Sequence, residues 1–182
     1  NRSPAIFDIE NLTWMNGMYL RAKTVEEFNE LAMPYYEGLD ASYDRLEVSK
    51  ILQPRVNTLA EIPEMIDFFN ECQEYEIGSY VHKKMKSNES IALKSLTIAK
   101  DLLETLPNWQ QETLHDSLMD LAKEAGMKNG QLLFPLRLAL TGKTFTPGGA
   151  IEIAHILGKE KTIERISNGI QKLVDAGIEM PA

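Results

Sequence analysis

The chain has 182 residues, 43% of them hydrophobic, and a formal net charge of −8. This length allows one or two helical domains with cores of their own. The sequence has no apolar run long enough to cross a bilayer and no Cys/His cluster with zinc spacing, which argues against a membrane-spanning protein and a zinc protein. Its single cysteine rules out an internal disulfide framework and fits a reducing cytosol.

The charge is unevenly distributed along the chain. From Lys128 onward there are seven Lys or Arg residues and five Asp or Glu residues, so this part carries +2 and the remainder −10. An acidic protein with a mildly basic end can bind RNA through one face, but the non-specific electrostatic contribution is small. Recognition of RNA would then depend on contacts to bases.

The first part of the chain is predicted to be helical. A short helix over 12–22 carries an aromatic stripe that we expect to lie in the core. Capping boxes begin at Thr24 and Thr58, each with a glutamate three residues later, and each is expected to open a helix. The helix after Thr58 is expected to carry an apolar stripe through Phe69, and another helix is predicted over 42–52.

The second part follows a change of pattern between 72 and 88, where Gly78 and a lysine-rich run indicate an irregular join. Amphipathic helices are then predicted over 90–106, 109–124, 131–140, 147–157 and 159–175. Thr146 is expected to cap the fourth of these, with Pro147 at its first helical position. We therefore predict an all-α protein with two helical subdomains, residues 1–77 and 78–182, and no strands.

Two motifs carry most of the functional information. Residues 135–142 read P-L-R-L-A-L-T-G and are followed by T-P-G-G at 146–149; residues 7–21 read F-D-I-E-N-L-T-W-M-N-G-M-Y-L-R. Both resemble bacterial glutamyl-tRNA synthetases, in which the patterns are close to P-L-R-x-A-L-T-G with a following P-G, and F-D-x-x-K-L-x-W-M-N-G-x-Y-I-R. Asn11 stands where that family usually has lysine. A weaker match covers residues 52–59.

The resemblance implies a set of residues that read the tRNA anticodon. By the resemblance, Arg137 contacts an anticodon base, and Arg55 reads the first anticodon base in enzymes that accept only glutamate tRNA. A guanidinium supplies a planar fork of donors that suits a pyrimidine edge, and a helix N-terminus supplies free N–H groups. The expected anticodon-binding set is Arg55, Arg137, Thr146, Pro147 and Gly149.

The sequence also allows other interpretations of these residues. Arg137 could be a surface arginine in a salt bridge, and Arg55 could be a loop arginine that holds a helix end. The family often has a larger apolar residue in place of Gly149, which argues against apolar stacking there. Side chains that could contact tRNA backbone or stack on bases are Arg21, Phe134 and Lys143, with Phe145 as a further aromatic candidate.

The function implied by the resemblance is tRNA recognition by the C-terminal, anticodon-binding part of a cytoplasmic, monomeric glutamate–tRNA ligase. Such a ligase uses ATP and Mg²⁺ in a catalytic domain, whose class I motifs are absent from these 182 residues, so the chain alone should be inactive and need no cofactor. The expected partner is tRNA(Glu), with tRNA(Gln) as a second candidate. The alternatives are a non-enzymatic helical protein-interaction scaffold, and a module of the related glutamine enzyme, which the lack of strand patterns disfavours.

Overall fold

A computed structural model describes residues 5–182, with side chains from Asp8 onward. The chain folds into two compact units, the first ending at Asn70 and the second spanning Glu71–Ala182. The all-α prediction is confirmed: over the described residues the only β pairing is an isolated bridge between His82 and Ser87. None of the helices described is both long enough and apolar enough to cross a membrane.

The first unit is built from short helices. They are α1 (Ala5–Arg21), α2 (Val25–Ala32), α3 (Arg45–Leu52), α4 (Ile62–Met65) and α5 (Asp67–Asn70), with 3₁₀ turns at Met33–Tyr36 and Leu59–Glu61. The capping boxes predicted at Thr24 and Thr58 are both present. Helix α3 begins three residues later than predicted, because the Asp44 carboxylate accepts hydrogen bonds from the backbone N–H groups of Leu46 and Glu47.

The helix predicted to run unbroken from Thr58 to Phe69 is interrupted. Helix α4 ends at Met65, and the backbone of the next residue, Ile66 (φ −116°, ψ 10°), leaves the helical region before α5 starts. Phe68 and Phe69 of α5, which follow the break, are both fully buried, with ring centroids 4.4 Å apart. Burial of these rings outweighs the local helical periodicity.

The aromatic stripe of α1 was predicted to be core, and that prediction is wrong. Trp14 and Tyr19 are 57% and 59% exposed. The helix packs through a different face, where Leu20 is buried and a Cβ on Gly17 would lie 2.0 Å from Asn57 Oδ1. Because Gly17 allows this close approach, the stripe is turned toward the surface of the unit.

The second unit has a core of three helices, α6 (Glu89–Glu104), α8 (Asn129–Thr141) and α10 (Lys159–Asp175), which pack against one another. Helices α7 (Gln111–Glu124) and α9 (Ala150–Leu157) cover this core. Gly169 of α10 marks the crossing, since a Cβ there would lie 3.1 Å from Ala139 and 3.3 Å from Leu96. The three helices therefore position the ends of α8, where the sequence places its most informative motif.

The segment predicted as an irregular join is attached to the second unit. Gln73 N donates to Thr141 O (3.0 Å), and the Tyr75 and Tyr80 hydroxyls are 2.7 Å apart. Tyr80 is fully buried, and burial raises the pKa values of both phenols. The contacts of this segment explain why the division between the two units lies after Asn70, whereas the assignment of the functional subdomains 1–77 and 78–182 remains a proposal.

Pro135 lies inside α8 and cannot donate the hydrogen bond that would normally reach Gln131 O. The hydroxyl of Ser95, a buried residue of α6, donates to that carbonyl oxygen instead (2.7 Å). The proline is therefore tolerated because a neighbouring helix satisfies the exposed acceptor.

Candidate nucleic-acid interface

The C-terminal end of α8 is held by hydrogen bonds from several directions. Four successive carbonyl oxygens accept from partners beyond the helix interior: Leu138 from Gly142 N (2.7 Å), Ala139 from Cys72 Sγ (3.4 Å), Leu140 from Arg165 Nη1 (2.6 Å) and Thr141 from Gln73 N (3.0 Å). A helix usually leaves these last acceptors to water. Their satisfaction fixes the start of the connection between α8 and α9, residues 142–149, which we call the α8–α9 loop.

Gly142 is required at this point for two reasons. Its φ of +74° lies in the left-handed region that side chains disfavour. In addition, a Cβ on Gly142 would lie 1.8 Å from Gln73 O. The glycine of the motif therefore has a structural role, because it lets the chain reverse against the segment that precedes Tyr75.

Arg137 spans the α8–α9 loop from its position in α8. Its Nη1 donates to Thr146 Oγ1 (3.0 Å) and its Nη2 donates to Thr144 O (2.8 Å). The residue is half-buried, and this burial lowers the pKa of its guanidinium from the ordinary value. A guanidinium has five N–H donors, so these two bonds leave further donors for a ligand.

The expectation that Thr146 caps α9 is wrong. Thr146 is buried, and its hydroxyl accepts from Arg137 and donates to Gly148 O (2.8 Å). Pro147 is also buried. It lies outside α9, because Gly148 (φ +91°) turns the chain between Pro147 and the start of that helix. Helix α9 begins at Ala150 with Gly149 as its cap, so Thr146 and Pro147 support the loop from within rather than opening the helix.

Gly149 is the exposed member of this group and lies beside an open cavity of about 490 Å³. Leu133, His115 and Glu152 contribute to the lining. Glu152 Oε1 accepts from Gly149 N (3.0 Å), which occupies one of the free N–H groups at this helix start. The sequence motif indicated the helix start but not the cavity, because His115 comes from the distant helix α7.

The two phenylalanines proposed for stacking have different environments. Phe134 is 6% exposed and its ring packs against His82, with centroids 4.8 Å apart, so its burial leaves no face for a nucleobase. Phe145 is 74% exposed and lies between Thr144 and Thr146, the two residues whose oxygens accept hydrogen bonds from Arg137. Lys143 is half-buried, and its backbone N–H donates to the buried Thr141 hydroxyl (3.0 Å).

In the first unit, the two candidate arginines meet at the turn after α3. Arg55 is exposed, and its Nη1 donates to Ile51 O (2.8 Å), so it ties down the end of α3 as the structural interpretation expected. Arg21 Nη1 donates to Val56 O (3.0 Å), and both of its Nη atoms lie 3.3 Å from Asn57 Oδ1. Arg21 thus joins α1 to this turn and has fewer donors left for a ligand than Arg55.

Solved structures share this fold. A glutamate tRNA ligase from Elizabethkingia meningosepticum, crystallised in complex with its amino acid, matches 88% of this chain and 32% of its own with a TM-score of 0.74 and 24% identity. Glutamate-tRNA synthetase from Elizabethkingia anophelis matches with a TM-score of 0.66 and 23% identity over 87% of this chain and 31% of its own. At this identity, the two likenesses establish the fold.

Sequence comparison gives closer relatives. The glutamate–tRNA ligase of Clostridium tetani is 53% identical over 174 residues, which is 95% of this chain and 36% of the relative, and that of Clostridium acetobutylicum is 46% identical over 175 residues with the same coverage. The chain thus spans about a third of the length of the curated relatives it matches. The sequence model of the family described as "Anticodon binding domain" matches residues 27–170. The chain therefore belongs to the anticodon binding domain family.

Proposed function

We propose that this chain recognises the anticodon of a tRNA as part of a glutamate–tRNA ligase. The observation that carries the proposal is the 53% identity, over 95% of the chain, to a protein named glutamate–tRNA ligase. The geometry supports it, because the half-buried Arg137 guanidinium, which has donors left for a ligand, and the exposed Phe145 ring lie together at the α8–α9 loop. Unstacked anticodon bases are recognised by side chains of these kinds.

In this proposal, Arg137 has a double role. Its bonds to Thr144 and Thr146 hold the α8–α9 loop in one conformation, and its remaining N–H groups donate to an anticodon base. Pro147 supports the loop from below, and the small exposed Gly149 leaves space for a base beside the α9 start. A base bound here would meet fixed donors, which reduces the ordering cost of binding.

Arg55 is proposed to read another anticodon base through the donors that its bond to Ile51 leaves available. Arg21 and Lys143 are proposed as contacts to the tRNA backbone. The partner is tRNA(Glu), with tRNA(Gln) as the second substrate if Arg55 does not discriminate. We place the protein in the cytoplasm and propose that it acts as a monomer.

The ligation itself is proposed to occur outside this chain. Glutamate–tRNA ligation requires ATP, which activates the amino acid before transfer to tRNA, and Mg²⁺ assists this step. Among residues 8–182, no group of three or more His, Cys, Asp or Glu side chains could hold a metal ion, so none of these residues is assigned to Mg²⁺. This chain supplies binding energy that positions the distant acceptor end of the tRNA.

The test is the substitution Arg137→Ala in a complete ligase that carries this chain. We expect aminoacylation kcat/KM for tRNA to fall by about 10- to 100-fold, in keeping with loss of a charged hydrogen bond worth about 1.5–3 kcal/mol. The KM values for glutamate and ATP should not change, because neither binds at this loop. Unchanged kinetics with tRNA would contradict the proposal.

A second substitution tests specificity. Arg55→Gln should raise the charging of tRNA(Gln) relative to tRNA(Glu), since the amide presents a different donor pattern to the first anticodon base. The measurement is the ratio of kcat/KM for the two transcripts. Arg21→Gln in the same unit is the control and should not change this ratio, because Arg21 is proposed to contact the tRNA backbone. If Arg55→Gln does not change the ratio either, Arg55 is not one of the residues that read the anticodon.

A further inference from the structure

A lysine-rich turn lies apart from the α8–α9 loop and has no role in the function proposed above. Residues 82–87 form a turn closed by the His82–Ser87 bridge, and Lys83, Lys84 and Lys86 are all exposed on it. Residues 77–88 contain no acidic side chain. The turn is thus a local concentration of positive charge in a unit that has 13 Lys or Arg and 15 Asp or Glu residues.

The backbone of this turn is fixed by several contacts. His82 and Ser87 exchange two backbone hydrogen bonds of 3.0 Å each, and His82 Nδ1 accepts from Met85 N (3.1 Å). Lys86 adopts φ +55°, which costs a non-glycine residue about 1–2 kcal/mol and persists only where its surroundings hold it. The His82 ring also packs on buried Phe134, so the turn is anchored to α8.

A fourth lysine is joined to the turn through one side chain. Gln131 Oε1 accepts from Lys128 N (2.9 Å), and Gln131 Nε2 donates to Lys86 O (3.1 Å). This single amide therefore brings the backbone of Lys128 next to that of Lys86. Lys128 immediately precedes α8, so the positive end of the α8 dipole lies at the same place.

These lysines do not neutralise acidic groups of the protein. No ion pair involving Lys83, Lys84, Lys86 or Lys128 occurs within the part of the chain whose side chains are described. A lysine ammonium is a compact charge that binds phosphate without requiring a planar partner. A fixed turn that presents several of them matches the repeated phosphates of a nucleic-acid strand better than a single small anion.

We infer that the lysine turn, residues 82–87 together with Lys128, binds phosphates of the tRNA backbone. The inference rests on the proposed function, because it requires that tRNA is the ligand. It adds an electrostatic contact that does not depend on the RNA sequence to the base contacts proposed for the α8–α9 loop. Such contacts fix the register of an RNA on a protein without reading its bases.

The test compares two double substitutions that remove the same charge. Lys83→Gln with Lys84→Gln alters the turn and leaves the Lys86 backbone and its contacts in place. Lys100→Gln with Lys159→Gln is the matched control, because both lysines contact Glu104 at the far end of α6. That end lies about 22 Å along the helix from the turn. Thermal unfolding checks that both variants fold.

The measurement is the affinity of a complete ligase that carries this chain for a tRNA(Glu) transcript at several salt concentrations. Each lost phosphate contact should reduce the slope of log K against log salt by about 0.7–0.9, so the turn variant should lose about 1.4–1.8 and the control nothing. If the turn variant has the wild-type slope while Arg137→Ala still weakens binding, this inference is overturned and the proposed function is not. If a complete ligase that carries the wild-type chain does not bind tRNA, the inference and the proposed function both fail.

Discussion

Arg137 connects the sequence motif to a defined geometry. Its bonds to Thr144 O and Thr146 Oγ1 hold both ends of a three-residue segment, and Phe145 in the middle of that segment is exposed. An exposed aromatic ring on a fixed backbone loses little entropy when a base stacks on it. The residues of this loop therefore act together in the proposed reading of the anticodon.

Phe145→Ala is expected to weaken tRNA binding by about 1–3 kcal/mol, because base–aromatic stacking contributes this amount. The free energy of unfolding should change by less than about 0.5 kcal/mol, since the ring is exposed and packs little. Phe145→Trp should retain the affinity. Titration with a tRNA(Glu) transcript measures these changes, and equal affinity of the wild type and the alanine variant would exclude stacking at this residue.

Gly142→Ala is expected to destabilise the second unit by several kcal/mol, because the added Cβ would meet Gln73 O and the backbone would be left in a left-handed conformation. Gly126→Ala is the matched control. Gly126 also has a positive φ (+66°) but no atom near its Cβ position, so it should cost about 1–2 kcal/mol. Denaturant unfolding gives both values, and equal costs would contradict the role given to the Gln73 contact.

At the scale of elements, α8 depends on α6 for more than apolar packing. The Ser95 hydroxyl donates to the backbone carbonyl of Gln131, to which Pro135 cannot donate. The side chain of Gln131 donates to Lys86 O and so joins α8 to the lysine turn. Gln131 therefore contacts two neighbouring segments, α6 through its backbone and the lysine turn through its side chain. A change in this region should affect the stability of the helix before it affects the α8–α9 loop.

Ser95→Ala tests this arrangement. It should destabilise the second unit by about 1–3 kcal/mol, because it leaves a buried carbonyl without a donor. Thr97→Val on the same helix is the control: the Thr97 hydroxyl only repeats a bond to Leu93 O within its own helix (2.7 Å), so its loss should cost little. If Ser95→Ala unfolds at the wild-type denaturant concentration, the Ser95–Gln131 bond does not support α8.

The helices that could be predicted from the sequence are those with local signals. The capping box at Thr24 marks the start of α2, and α10 has the bounds predicted for the last helix, 159–175. The break at Ile66 and the exposed stripe of α1 could not be predicted, because each depends on contacts with residues that are distant in the sequence. Thr146 illustrates the same limit at the candidate site, since its hydroxyl has a local capping pattern but is bonded to Arg137 instead.

For the whole molecule, charge is divided unequally between the units. The first has 6 Lys or Arg and 12 Asp or Glu residues, for −6, and the second is −2. General attraction to RNA is therefore weak, and binding should depend on the few places where cations are concentrated. This distribution favours specific recognition over non-specific binding.

Global stability should fall at alkaline pH through a buried phenol of the first unit. Tyr36 is fully buried, and this burial raises its pKa to about 12. Its hydroxyl lies 2.6 Å from Ser49 Oγ, and the Ser49 hydroxyl donates to Asn29 Oδ1. Because the folded-state pKa lies above the ordinary value near 10, the stabilisation is complete below pH 10 and is lost as pH rises toward 12. We expect a loss of about 1–3 kcal/mol over this range.

Tyr36→Phe should remove this part of the pH dependence, and Tyr35→Phe, at the neighbouring half-exposed position, should leave it unchanged. The free energy of unfolding measured from pH 9 to 12 for both variants separates this residue from the other tyrosines. Identical pH profiles for wild type and Tyr36→Phe would show that this phenol does not control the alkaline limit.

The most direct measurement of anticodon recognition is the affinity of a complete ligase that carries this chain for a tRNA(Glu) transcript, compared with the same transcript carrying three replaced anticodon bases. We expect the intact anticodon to bind at least about tenfold more tightly, a difference of about 1.4 kcal/mol, and Arg137→Ala to reduce this difference. Equal affinity of the wild-type ligase for the two transcripts would contradict anticodon recognition by this chain.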